Sequence, residues 1–213
     1  MLSKDQIELA IATMREKYPQ ARTSLVADTD FHFLLAVILS AQATDKSVNL
    51  VTPALFARFP TPNDLAQVTA TDVEPYIKTI GLYRNKARYL VACAQKLVTD
   101  YGGVVPAQRE ELVKLPGVGR KTANVVLSER FGVPAFAVDT HVSRIAKRLQ
   151  IVAADASVTQ IERKFMDSLP PEKWLDAHHA LIFWGRYWCT ARQPHCTTCP
   201  LLNICAYGQE QVK

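Results

Sequence analysis

The chain has 213 residues, 48% of them hydrophobic, which is ample for a packed core and permits one large domain or two small ones. Lys and Arg number 25 against 20 Asp and Glu, so the net charge is +5; a moderate basic excess fits a polyanionic partner without requiring one. No apolar run reaches the roughly 18–20 residues that span a bilayer, and Met1 to Asp5 lacks the pattern of a secretory leader, so an intracellular protein with no membrane partner is expected.

The elements read as helices almost throughout. Ser3 and Gln6 have capping-box spacing ahead of Ile7, Ala10, Ile11 and Met14, and Tyr18-Pro19 closes that helix. Phe33 to Leu39 is the longest apolar run. Thr61-Pro62 places proline at a first helical position, and Thr71 with Glu74 repeats the capping-box spacing. Cys93, inside the apolar stretch Leu90 to Ala94, reads as a small buried core residue. An acidic helix is expected from near Pro106 to Leu115. Ala135 to Val138 has the composition of a strand but finds no partner strand, so it reads as a connection. Ser157 with Gln160 opens a further helix. The fold class is therefore all-α.

Leu115-Pro116-Gly117-Val118-Gly119-Arg120-Lys121 is the first stretch with chemical content. Pro116 stops the preceding helix, and Gly117 and Gly119 permit a tight turn with exposed amides. A new helix is expected from Arg120 to Phe131. Exposed amides at a helix start form an anion site that a DNA phosphate fits, and such contacts position a duplex without reading its sequence. The arrangement is a helix–hairpin–helix. Lys121 has two readings, a phosphate contact shared with Arg120 or a nucleophilic amine able to form a Schiff base. Asp139 follows 18 positions later. It reads as the N-cap of the next helix, or as a carboxylate partner of Lys121 if the two are close.

Near the C-terminus stand Cys189, Cys196, Cys199 and Cys205, with six, two and five residues between them. Four soft thiolate ligands in one proline-containing loop point to a metal centre, zinc or an iron–sulfur cluster. Disulfides suit small secreted scaffolds and fit this chain poorly. The frame has a single C-x-x-C pair where structural zinc usually has two, which tilts the balance toward a cluster.

Five segments taken together resemble the endonuclease III family of DNA glycosylase/AP lyases. They are Leu39 to Asp45, Gly81 to Ala87, the hairpin Leu115 to Lys121, Val138 to Val142, and the four cysteines. The resemblance implies two helical domains. Residues 22–133 would form a six-helix barrel with the helix–hairpin–helix, and residues 1–21 with 134–213 a helical domain carrying a four-iron four-sulfur cluster loop. It implies a monomeric, cytoplasmic, nucleoid-associated base-excision repair enzyme acting on double-stranded DNA that holds a damaged pyrimidine or an abasic site. Lys121 and Asp139 would be the catalytic pair. Gln42 and Leu82 would fill the gap left by a flipped nucleotide; without the resemblance they read as a solvent-facing amide and a core leucine. Gly117, Gly119 and Arg120 would face DNA, and the four cysteines would hold the cluster. The cluster loop would present Arg186, Arg192 and His195 toward phosphate. Related adenine glycosylases share the cysteine frame and the aspartate but lack the lysine, so Lys121 marks the lyase. Two rivals remain at this level: a non-enzymatic, metal-stapled DNA-binding module, and an electron-transfer protein.

Overall fold

The computed structural model describes residues 1–213, and its only regular elements are helices. Twelve α-helices follow one another: α1 Lys4–Lys17, α2 Asp30–Leu39, α3 Asp45–Arg58, α4 Pro62–Ala66, α5 Ala70–Ile77, α6 Tyr83–Tyr101, α7 Arg109–Leu112, α8 Arg120–Arg130, α9 Thr140–Arg148, α10 Val158–Ser168, α11 Trp174–Tyr187 and α12 Ala206–Gln211. None is long and apolar enough to cross a membrane. The chain divides into two compact units, residues 24–133 and residues 1–23 with 134–213.

The unit 24–133 is organised around α2. Phe31 through Leu39 are all buried, and a helix that is apolar on every side belongs inside its unit. Helices α3, α6 and α8 pack on it. Its N-cap, Thr29, accepts a hydrogen bond from the His32 amide at 3.0 Å. Arg130, at the end of α8, reaches Asp30 at 2.7 Å, so the two helices are also tied at the rim. Helix α6 packs against α4 and α5 with Ala87, Leu90, Val91, Ala94 and Leu97. Cys93 is fully buried there, and burial pushes its thiol up to about 12, so it is a packing residue without thiolate chemistry.

The second unit packs α1 on α11 and α9 on α10, α11 and α12. The Ser3–Gln6 capping box opens α1 as the spacing predicts, and Ile7, Ala10, Ile11 and Met14 are its buried stripe. Tyr18 ends α1 and seats its ring against Phe183, Trp184 and Tyr187, with centroids 6.0–6.2 Å away. Ala135 to Val138 is buried and extended but joins no sheet. The Ala137 carbonyl is satisfied instead by Nδ1 of buried His178 at 2.8 Å, and Phe136 stacks on Phe165 at 4.7 Å.

Two local expectations need correction. The capping box ahead of α5 forms at Thr69 and Asp72, where the Thr69 amide donates to Asp72 Oδ2 at 2.9 Å, and not at Thr71 and Glu74. The same spacing occurs twice, offset by two residues; one helix can use only one of them, and the earlier gives the longer helix. The helix expected from Pro106 to Leu115 is a single turn, α7. Proline at 116 disfavours the helical region for Leu115, and the chain closes in tighter turns, Lys114 amide to Glu111 carbonyl and Leu115 amide to Leu112 carbonyl.

Phe136→Ala removes a fully buried ring from a stacked pair. It is expected to destabilise the protein by about 3–5 kcal/mol, read from the denaturant midpoint.

Candidate nucleic-acid interface and metal centre

The hairpin between α7 and α8 is held from outside. Arg109 Nε donates to Asn124 Oδ1 at 2.8 Å, which ties α7 to α8 across the turn. Tyr101 donates to Glu111 Oε2 at 2.8 Å, which anchors α7 to α6. Within the turn, the Val118 amide donates to the Leu115 carbonyl at 3.1 Å. Proline at the second position and glycine at the third are what a type II turn favours, and Gly117 has φ +79°. The position is closed to a side chain on two counts. The backbone is left-handed, and a Cβ there would lie 2.9 Å from Tyr89 Cβ and 3.2 Å from Ile38 Cγ2.

Gly119 does a different job. It is the N-cap of α8, extended at φ −91° and ψ 176°, and supplies no side-chain cap. A Cβ there would meet nothing within 4 Å. The first amides of α8 therefore face an open approach, which leaves room for an oxyanion. Arg120 and Lys121 follow at the first two helical positions, and both are exposed.

Gln42 and Leu82 share an unusual conformation. Their φ values are +55° and +60°, among only three non-glycine residues with positive φ. Gln42 lies in the turn between α2 and α3, and Leu82 is the N-cap of α6. Leu82 is 57% exposed, which excludes a core leucine. Left-handed backbone costs such side chains about 1–2 kcal/mol each, and that strain accumulates at functional turns. Gln42, Leu82, Gly117, Gly119, Arg120 and Lys121 all belong to the unit 24–133.

Asp139 and the four cysteines belong to the other unit. Asp139 is the N-cap of α9, its Oδ1 accepting from the Val142 amide at 2.8 Å, so the structural reading of this residue holds. Two residues on, His141 is half-buried, and burial lowers its pKa. Arg144 Nη2 lies 3.1 Å from its Nδ1. Arg144 also donates to the Gly185 carbonyl at 2.7 Å and the Cys189 carbonyl at 3.1 Å.

Cys189, Cys196, Cys199 and Cys205 are free thiols that line one cavity. Burial raises the pKa of Cys196, Cys199 and Cys205, and neighbouring cysteines in the loop raise them further. Two N–H donors already point at sulfur: Arg148 Nη1 to Cys189 at 3.3 Å and the Gly208 amide to Cys205 at 3.3 Å. Trp188 lines the same cavity, and its buried indole N–H has no partner. The donor set fits a thiolate-bound metal group. No three His, Cys, Asp or Glu side chains form a set that could hold a single metal ion. Arg186, Arg192 and His195 are exposed. Arg144 and Arg148 escape sequence reading; their only signal is a four-residue spacing that puts both on one face of α9.

A family model described as HhH-GPD superfamily base excision DNA repair protein matches residues 35–171. Endonuclease III of Bacillus subtilis (strain 168) is 49% identical over 213 residues, covering 100% of this chain and 97% of that protein. Two solved structures are each 48% identical. One, "Structure of a Trapped Endonuclease III-DNA Covalent Intermediate: Estranged-Adenine Complex", superposes with TM-score 0.97 and covers 100% of both chains. The other, "Structure of a non-covalent Endonuclease III-DNA Complex", has TM-score 0.96 and covers 100% of this chain and 99% of that one.

The two hairpin glycines are expected to separate. Gly117→Ala strains the turn and lowers both thermal stability and duplex binding. Gly119→Ser installs a good N-cap in open space, so melting holds or rises. Its hydroxyl occupies the α8 amides, and affinity for duplex DNA falls roughly five- to tenfold, about 1–1.4 kcal/mol.

Proposed function

Because this chain belongs to the endonuclease III family of HhH-GPD superfamily base excision DNA repair proteins, and is a DNA glycosylase with AP-lyase activity, we propose that it removes oxidised pyrimidines from duplex DNA through a Schiff base on Lys121 and cuts the strand 3′ to the resulting abasic site. The observation that carries the reading is the placement of Lys121. It is an exposed amine at the second position of α8, directly behind a hairpin whose amides are open to phosphate. Binding a backbone phosphate there delivers the adjacent sugar to the amine, and positioning of this kind lowers the barrier by making attack unimolecular.

The steps balance as follows. Lys121 Nζ attacks C1′ of the flipped nucleotide, and the bond to the base breaks with its electron pair leaving on the base. Positive charge develops on the sugar, and the Asp139 carboxylate stabilises it through Oδ2 while Oδ1 stays bound as the α9 cap. Loss of the amine proton and ring opening give the Schiff base. Its iminium acidifies the C2′ proton; removing that proton forms a C2′–C3′ double bond and expels the 3′ phosphate. Water then hydrolyses the imine and frees Lys121. Gln42 and Leu82, exposed on strained turns, would fill the space the extruded nucleotide leaves. The enzyme would act as a monomer.

Cys189, Cys196, Cys199 and Cys205 would hold a four-iron four-sulfur cluster, which takes one thiolate at each iron. The single C-x-x-C pair in the frame, where structural zinc usually has two, favours this over zinc. When bound, the group ties the loop's two ends together and supplies fold rather than chemistry at the sugar.

Lys121→Gln is expected to abolish borohydride trapping on a duplex with one thymine glycol while binding to an abasic-site duplex survives. Wild-type trapping in that variant would reduce Lys121 to a phosphate contact. Asp139→Asn keeps a competent N-cap and removes the charge, so single-turnover base release should drop about 100-fold or more with no loss of fold. Purified protein should contain about four irons and four acid-labile sulfides per chain, and Cys199→Ser should lose both together with solubility. Stoichiometric zinc without sulfide, in protein made with ample iron, rejects the cluster.

A further inference from the structure

We propose that Arg148 is the positioning residue of the cysteine cavity, fixing Cys189 as its first ligand and holding a permanent positive charge against that sulfur. The inference rests on the cluster assignment above. Arg148 sits in the last turn of α9, on the helix that Asp139 caps. Its Nη1 donates to Cys189 Sγ at 3.3 Å and to the Thr190 carbonyl at 2.7 Å, and its Nη2 donates to the Ala191 carbonyl at 2.9 Å. The guanidinium lies over the Tyr207 ring, 4.3 Å from its centroid. Its own carbonyl oxygen is 3.7 Å from Cys205 Sγ. One residue thus touches both ends of a loop whose terminal ligands are 16 positions apart.

The chemistry follows from the shape of the fork. A guanidinium has no acceptor and does not lose its charge, so the group beside Cys189 is always a cation. Two carbonyls and an aromatic face fix its plane, which leaves little freedom for the donor aimed at sulfur. Such a donor favours the more negative, reduced state of any group that this sulfur binds. A lysine at this position would keep the charge and lose the fork. These two contributions are therefore separable by experiment.

The test uses the holoprotein and three readouts: iron and sulfide per chain, the rate at which the cluster's visible absorbance decays under a chelator in air, and the reduction midpoint by voltammetry. Arg148→Met is expected to release iron about tenfold faster or more, the usual scale for losing a partner of a metal ligand, and to shift the midpoint to more negative potential. Arg148→Lys should keep a midpoint near wild type while still releasing iron faster. Helix melting followed by circular dichroism should remain close to wild type in both. Wild-type release and midpoint in Arg148→Met overturn the proposal. If that variant does not fold, Arg148→Lys decides alone, and wild-type release there overturns it. Absence of sulfide from the wild-type protein is a separate outcome; it overturns the cluster assignment itself, and the proposal with it.

Discussion

A helix with no polar face can lie only where every side is covered. Helix α2 is such a helix, and the layout of the unit 24–133 depends on burying it. Helices α3, α6 and α8 supply the cover. The turn with Gln42 is the exit from α2, and Ile38, one turn before that exit, forms part of the floor under Gly117. Tyr89 supplies the rest of that floor from α6, the helix that Leu82 opens. The hairpin and the two strained turns are therefore attached to one rigid core. An error of packing at α2 would reach all three.

Much of this was legible in the sequence because it is local. Ser3 and Ser157 cap the helices that their spacing predicts, Pro62 opens α4 at a first helical position, and α8 starts at Arg120 with Gly119 as its extended N-cap. Legibility failed where local signals compete. Thr69 and Thr71 each have an acidic residue three positions on, and the pattern alone does not choose between them. Pro106 and Pro116 bracket a helix-like composition, yet only Arg109–Leu112 within it is helical. The buried segment Ala135 to Val138 has strand composition because it is covered on all sides, and a histidine, not a neighbouring strand, meets its carbonyl.

The candidate site divides in the same way. The cysteine frame and the hairpin carry physical signals of their own, since thiolates gather on metal and open helix amides gather on anions. Lys121 and Asp139 carry almost none; a lysine on a helix and an aspartate at a cap are ordinary, and only their place within a family-wide pattern marks them. Arg148 shows a third case. Its role depends on contacts to residues more than 40 positions away, and no rule about neighbours in sequence could raise it.

Gln42 and Leu82 hold a backbone shape that glycine would adopt without steric strain. Natural stability optimisation would erase both, because each replacement by glycine relieves strain in the folded state. That leaves these two turns exposed to a conflict between endurance and work. On the proposal that these side chains fill a gap in the duplex, a lineage pressed only by heat gains by losing them, and one pressed to handle DNA retains them at a standing cost. On that proposal, the same two φ angles set the protein's thermal ceiling against its purpose.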